Sequence, residues 1–115
     1  MSIDMNVIAI LQDEVGEDLV YELIGLYFEE SPTLLTTLQQ AFDQDDRQSI
    51  VRAAHKLKSM SAQLGALELS HTCQELETMA PTADTTALNS CLNLLTSKYQ
   101  QSTNQLSALQ QNTDA

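Results

Sequence analysis

Residues 46–65, DRQSIVRAAHKLKSMSAQLG, combine a start signal, one apolar stripe and a stop signal for a single helix. The stripe recurs at 3.6-residue spacing and consists of Ile50, Ala54, Leu57, Ser61 and Leu64. Asp46 is a residue type that caps helix N-termini, and Gly65 is typical of the position just beyond a helix C-terminus. The stretch therefore predicts a helix from about Arg47 to Leu64 that buries one face.

Four further segments show the same kind of helical pattern. They are a short helix between Asp4 and Gly16, a helix from Glu17 to about Asp43, a helix from about Ala66 to Met79, and a helix from near Asp84 to Leu109. The periodicity of the second segment continues on both sides of Pro32, which favours one kinked helix over two. Long amphipathic helices with short connections predict an all-α antiparallel four-helix bundle, with the first helix as a lid and 110–115 as a polar tail.

The apolar positions of these segments predict the core. In the second segment they are Leu19, Leu23, Leu26, Tyr27, Leu34, Leu38 and Phe42. In the fourth they are Leu69, Cys73, Leu76 and Ala80. In the fifth they are Leu88, Cys91, Leu92, Leu95, Tyr99, Leu106 and Leu109.

Length and composition narrow the functional classes. A chain of 115 residues with 43% hydrophobic content has the size of one domain, here 1–115, that can bury a core. A net charge of −11 disfavours nucleic acid and anionic membranes as partners. The sequence contains no apolar run long enough for a transmembrane helix, and its N-terminus does not read as a signal peptide. The two cysteines form no C-x-x-C pair, so we expect reduced thiols in a cytoplasmic protein.

The few positive charges are concentrated on the helix quoted above. Four of the five basic residues lie between Arg47 and Lys58, and no acidic residue occurs from Arg47 to Leu67. This stretch therefore carries a charge of +4, and the remainder of the chain carries −15, which together give the net −11. We expect this positive helix, including Arg52, to attract an acidic surface of a partner.

His55 is expected to stand on the exposed face of the same helix, about 140° from the centre of the buried stripe. Its neighbours one and two turns away are Val51, Ser59 and Ala62, which are all short. A low, partly apolar surface around an exposed imidazole suits close docking of another protein. Lys58 lies one turn further on, where its ammonium could reach a negative group attached to the ring. Neutral imidazole is a nucleophile at neutral pH, so this arrangement favours transient phosphorylation of His55.

The run from 55 to 66, H-K-L-K-S-M-S-A-Q-L-G-A, resembles the signature of histidine-containing phosphotransfer (HPt) domains, H-x-L-K-G-[SA]-[SA]-x-x-[LVI]-G-[AL]. His55 matches the phosphorylated histidine and Lys58 the lysine on the phosphate side. Leu64, Gly65 and Ala66 match the closing turn. The chain departs from the signature at Ser59, where glycine is usual, and at Met60, where a small residue is usual and where we expect packing at the bundle edge.

The resemblance extends to the neighbouring helices. Residues 69–77 look like the helix that follows the signature in the family, and residues 26–32 resemble the long helix that precedes it. Glu77 stands where some members carry a glutamine that hydrogen-bonds the imidazole. A glutamate there would orient the ring but repel a phosphoryl group.

The resemblance implies a phosphorelay intermediate without kinase activity of its own. His55 would accept a phosphoryl group from a receiver-domain aspartate of a hybrid sensor kinase and pass it to the receiver domain of a response regulator. It implies no cofactor of this chain and a divalent metal on the receiver. We also expect a monomer, because the sequence shows no second exposed apolar stripe. The alternative is a helical adaptor that binds a signalling partner without being phosphorylated.

His71 offers a weaker possibility. With Glu75 four residues later it could supply half of a metal site, and a metal-dependent hydrolase that uses His55, His71 and carboxylates is a third possible function. Further ligands are not evident in the sequence, so a surface pair is the preferred interpretation.

Overall fold

The structure is a computed structural model that describes residues 3–113, with side chains for 3–110, and its secondary structure is entirely helical over that range. The five helices are α1 (Met5–Val15), α2 (Glu17–Asp43), α3 (Arg47–Gln63), α4 (Leu67–Met79) and α5 (Thr85–Thr113). The predicted all-α architecture is confirmed. None of the helices in residues 3–113 combines the length and apolar character that crossing a membrane requires.

Three helices begin at an aspartate that accepts a backbone N–H, as the sequence predicts. The three hydrogen bonds run from Asn6 N to Asp4 (2.9 Å), from Ser49 N to Asp46 (3.1 Å) and from Ala87 N to Asp84 (2.8 Å). Each satisfies one backbone donor that the first turn leaves free. The Asp46 carboxylate also accepts from the Ser49 hydroxyl, and these bonds lower its pKa.

Helices α2 to α5 form the bundle. Helix α3 packs between α2 and α4, and α5 closes the ring by contacting α4 and α2. The links between α2, α3 and α4 are three residues each, so neighbouring helices run in opposite directions. Side chains from all four helices fill the centre, and Leu38, Leu57, Leu69 and Leu95 are fully buried. Each such burial stabilises the fold by roughly 1.5–3 kcal/mol.

The predicted core positions of α3 and α4 are all buried, but those of α2 need correction. Leu19 and Leu26 were expected inside and are 41% and 47% exposed. The buried residues of α2 are Val20, Ile24, Tyr27, Ser31, Leu38 and Ala41. Apolar residues cover a broad arc of the first half of α2, and the packing of α1, α3 and α5 decides which part of that arc is covered.

Helix α2 agrees with the prediction of one helix across Pro32, whereas α5 extends beyond its predicted end. Helix α2 continues through Pro32, and the preceding Ser31 is buried with its Oγ 2.8 Å from the Tyr99 hydroxyl of α5. Helix α5 continues to Thr113, so residues 110–113 of the predicted polar tail are helical. No helix-breaking residue follows Leu109, which allows the backbone ladder to continue. Residues 114 and 115 lie outside the described residues.

Gly65 connects the α3–α4 turn to the N-terminal segment. Its φ is +79°, and a Cβ there would lie 2.7 Å from the carbonyl oxygen of Asp4. The Asp4 N–H donates to the Gly65 carbonyl at 2.8 Å. Just before Asp4, Ile3 is 1% exposed, and its N–H donates to Gln105 Oε1 at 3.0 Å. The N-terminal segment is therefore fixed against one end of the bundle by the Gln105 side chain and by a backbone contact whose closeness requires glycine at position 65.

Both cysteines are buried free thiols. Burial raises the pKa of Cys73 to about 12 and also raises the pKa of Cys91. A thiol that resists ionisation is a poor nucleophile, so we treat both as core residues.

Candidate functional site

His55 lies near the middle of α3 on the face turned away from the core. Its side chain is 60% exposed, whereas the adjacent Ala54 is fully buried. The ring nevertheless has a fixed partner, because Nδ1 is 2.9 Å from Glu77 Oε2 on α4. This contact joins residues that are 22 positions apart, so it depends on how α3 and α4 pack.

The Glu77 contact selects one form of the imidazole. Hydrogen bonding to Lys58 is the main cause that lowers the pKa of Glu77, and the bond to His55 adds to it. An ionised carboxylate can only accept, so Nδ1 of His55 carries the hydrogen that the pair shares. In a neutral ring, Nε2 then holds the free lone pair. The nitrogen with the free lone pair is therefore the one that does not contact Glu77.

Lys58 completes a chain of polar contacts behind the ring. Its Nζ donates to Glu77 Oε1 at 2.8 Å and to Gln74 Oε1 at 2.8 Å. The amide nitrogen of Gln74 in turn donates to Thr78 Oγ1 at 3.0 Å. The side chains of Lys58 and Glu77 are only 22% and 20% exposed. The ion pair is therefore shielded more than an ordinary surface pair.

Gln74 is the member of this chain that the sequence analysis missed. Gln74 and Glu77 are three residues apart on α4, and His55 and Lys58 are three apart on α3. Two such pairs can meet when their helices pack side by side, since residues at this spacing share a helix face. The sequence contains the spacing but does not fix the rotation of α4 about its own axis.

The predicted docking residues surround His55. Val51 and Ala62 are partly buried, and Ser59 and Arg52 are exposed. The Ser59 hydroxyl donates to the carbonyl oxygen of His55 at 3.3 Å, which keeps this short side chain close to the helix. Met60 turns away from this surface and lines a small cavity with Tyr27, Leu23, Leu26 and other residues. The short side chains of Val51, Ser59 and Ala62 therefore leave the imidazole ring projecting above the surface next to it.

The four basic residues of α3 do not act as one positive surface. Arg47 is paired with Asp45 at 2.6 Å and donates to the carbonyl oxygens of Ala80 and Ala83. Arg47 therefore fastens α3 to the α4–α5 connection, and Lys58 is engaged with Glu77. Within residues 3–113, Arg52 and Lys56 form no salt bridge with an acidic side chain, so the free positive charge is half of what the sequence suggests.

His71 forms the surface pair that the sequence favours. Its Nε2 is 3.0 Å from Glu75 Oε1, and the two side chains are 75% and 52% exposed. Among residues 3–113, no three His, Cys, Asp or Glu side chains come close enough together to hold a metal ion.

Comparison with known proteins places these features in one family. The family model for the Hpt domain matches residues 22–112. Histidine-containing phosphotransfer protein 1 of Arabidopsis thaliana is 28% identical over 101 residues, which are 86% of this chain and 66% of that protein. Pseudo histidine-containing phosphotransfer protein 2 of Oryza sativa subsp. japonica is 34% identical over 65 residues, which are 55% of this chain and 43% of that protein. The chain thus spans less than two thirds of either relative.

A solved structure supports the fold. The crystal structure of histidine-containing phosphotransfer protein B (HptB) from Pseudomonas aeruginosa PAO1 superposes with a TM-score of 0.89 and covers 96% of both chains, at 24% sequence identity. The family model covers most of the five-helix arrangement and includes both His55 and Glu77. The chain belongs to the Hpt domain family.

Proposed function

We propose that this protein is a phosphorelay intermediate that carries a phosphoryl group on His55. The observation that carries the proposal is the exposed ring with Nδ1 bonded to Glu77 at 2.9 Å. This contact presents Nε2 as a nucleophile in a single orientation, on a surface made low by Val51, Ser59 and Ala62. Family membership and the signature from 55 to 66 support the same conclusion.

The proposed transfer step requires only His55, Glu77 and the partner receiver domain. The Nε2 lone pair attacks the phosphorus of an aspartyl phosphate on a receiver domain. An N–P bond forms, the P–O bond to the aspartate breaks, and the aspartate leaves as a carboxylate. The Nδ1 proton stays on the ring, where the Glu77 carboxylate faces the positive charge that develops. A second receiver aspartate reverses the step and takes the phosphoryl group.

The partners in this proposal are receiver domains, one on a hybrid sensor kinase and one on a response regulator. The receiver supplies the divalent metal, and this chain works as a cytoplasmic monomer with no cofactor and no kinase activity of its own. Arg52 and Lys56 supply charge for an acidic receiver surface, together with the docking residues Val51, Ser59 and Ala62. Receiver binding should weaken as salt is raised, and binding that is independent of salt would contradict this electrostatic contribution.

The proposal is tested with a receiver domain that carries radiolabelled phosphate. Label should move to this protein, resist alkali and be lost in acid, as expected for a phosphoramidate. His55→Gln should take up no label but still fold and bind the receiver. Wild-type protein that binds a receiver without ever carrying label would instead identify the non-phosphorylated adaptor, and labelled His55→Gln would show that the site is wrong.

A further inference from the structure

Three hydroxyl groups inside the bundle have no hydrogen-bond partner within residues 3–110. They are Tyr27 Oη of α2, Ser61 Oγ of α3 and Thr103 Oγ1 of α5, and all three oxygens are buried. Tyr27 as a whole is 1% exposed and Ser61 is fully buried. A buried hydroxyl without a partner destabilises a fold, because it has given up its hydrogen bonds to water and gained none.

The packing of α2 against α5 places two of these hydroxyls at the same level of the bundle. The Ser31 and Tyr99 hydroxyls are 2.8 Å apart, and the two helices run in opposite directions. Tyr27 lies about one turn before Ser31 on α2, and Thr103 lies about one turn after Tyr99 on α5. Because the helices are antiparallel, these two steps lead to the same place, and Tyr27 faces Thr103.

The third hydroxyl comes from the part of α3 that packs against Tyr27. Tyr27 lines a small cavity together with Met60 and Leu64, and Ser61 lies between these two residues in the sequence. Burial raises the pKa of Tyr27, whereas the hydroxyls of Ser61 and Thr103 act to lower it. Both hydroxyls therefore lie beside the phenol oxygen, although neither has the geometry of a hydrogen bond to it.

Water fits the chemistry of this cluster better than an ion does. Each hydroxyl can donate one hydrogen bond and accept others, and an internal water typically makes about three hydrogen bonds to buried polar groups. The side chains that act on the pKa of Tyr27 are hydroxyls and one thiol, and none of them is a carboxylate or an ammonium. An ion at this place would be buried without an opposite charge, which is strongly disfavoured.

We propose that Tyr27, Ser61 and Thr103 bind one internal water molecule that bridges α2, α3 and α5. A single water satisfies all three oxygens and links α2 and α5 to the helix that carries His55. Ser61 lies six residues after His55, which is about 9 Å along the axis of α3. The water site is separate from the polar contacts of His55, so this inference goes beyond the proposed function and does not depend on it.

A high-resolution crystal structure of the wild-type protein tests the site directly. An ordered water should lie within hydrogen-bond distance of the Tyr27, Ser61 and Thr103 oxygens. Three hydroxyls bonded directly to one another, with no solvent density between them, would overturn the proposal. This measurement needs no variant, so it decides the question even if substitutions at these core positions prevent folding.

Magnetic relaxation dispersion of water oxygen-17 counts long-lived internal waters in solution and provides a second test. The triple variant Tyr27→Phe/Ser61→Ala/Thr103→Val should hold one such water fewer than the wild type. The matched control is Ser31→Ala/Tyr99→Phe, which removes two hydroxyls that bond to each other and should leave the count unchanged. An unchanged count in the triple variant, or an equal loss in the control, would contradict the site. Neither test involves phosphoryl transfer, so a negative result leaves the proposed function intact.

Discussion

The molecule contains two histidine–glutamate pairs that have nearly equal N···O distances but different surroundings. His55 and Glu77 are 2.9 Å apart and come from two helices, whereas His71 and Glu75 are 3.0 Å apart and belong to one. Glu77 is 20% exposed and also binds Lys58, while Glu75 is 52% exposed. An ion pair one turn apart on an exposed helix surface contributes about 0.3–0.5 kcal/mol.

A histidine–glutamate contact does not by itself make a functional site. In the His71 pair, both side chains can leave one another for water at little cost. In the His55 pair, the carboxylate is held by a second partner and the ring by the packing of α3 against α4. Only the second arrangement keeps one nitrogen presented in one direction, which is what nucleophilic attack requires.

The largest difference between the pairs should appear when each histidine is removed. His55→Gln should abolish phosphoryl uptake from a labelled receiver, because the imidazole nitrogen that would form the N–P bond is gone. His71→Gln is the matched control and should transfer at the wild-type rate. Equal loss in both variants, measured by label incorporation, would show that the two pairs are not functionally distinct.

The next difference should appear when each glutamate is removed. Glu77→Ala frees the ring to rotate and to change tautomer, so transfer should slow by on the order of tenfold to a hundredfold. Glu75→Ala should change the rate by less than about twofold, since the ion pair of that carboxylate is with His71 on the exposed surface of one helix. The transfer rates of the two variants, measured with one receiver preparation, test this directly. A Glu77→Ala protein as fast as the Glu75→Ala protein would remove the role assigned to Glu77.

Local sequence signals were sufficient for most of the fold. Asp46, Gly65 and the stripe from Ile50 to Leu64 define α3, and the exposed position of His55 follows from the same helical spacing. These features depend on residues within one or two turns of each other. The sequence can therefore supply them without knowledge of the other helices.

The other features of the fold and the site depend on how the helices pack against one another. The local periodicity of the sequence carries no information about that packing. Leu19 and Leu26 are as apolar as Ile24, yet only the last is covered by neighbouring helices. Gln74 resembles any exposed polar residue until α4 is placed against Lys58. Glu77 was recognised only through the family resemblance, because no local pattern connects it to a histidine 22 positions away.

A smaller difference should be found in stability without phosphorylation. Glu77→Ala leaves a partly buried Lys58 ammonium with only Gln74, and we expect it to lower the free energy of unfolding by about 1–2 kcal/mol. Glu75→Ala should lower it by at most about 0.5 kcal/mol. Urea unfolding of both variants checks these values. A loss of stability in Glu75→Ala as large as that in Glu77→Ala would mean that the burial of Glu77 adds nothing to the free energy of unfolding.

The smallest effect concerns the pH dependence of that stability. The pKa of Glu77 is lowered in the folded protein, mainly by Lys58, so the unfolded chain takes up this proton at a higher pH than the folded one. The stabilising contribution is then complete above the ordinary glutamate pKa and is lost as pH falls through the lowered value. The difference in unfolding free energy between wild type and Glu77→Gln should therefore be constant near pH 7 and shrink below about pH 4. Glu75→Gln, measured over the same range, gives the reference for a pair on an exposed helix surface. A wild-type advantage over Glu77→Gln that persists unchanged at pH 3 would show that the Lys58 contact does not favour the charged carboxylate.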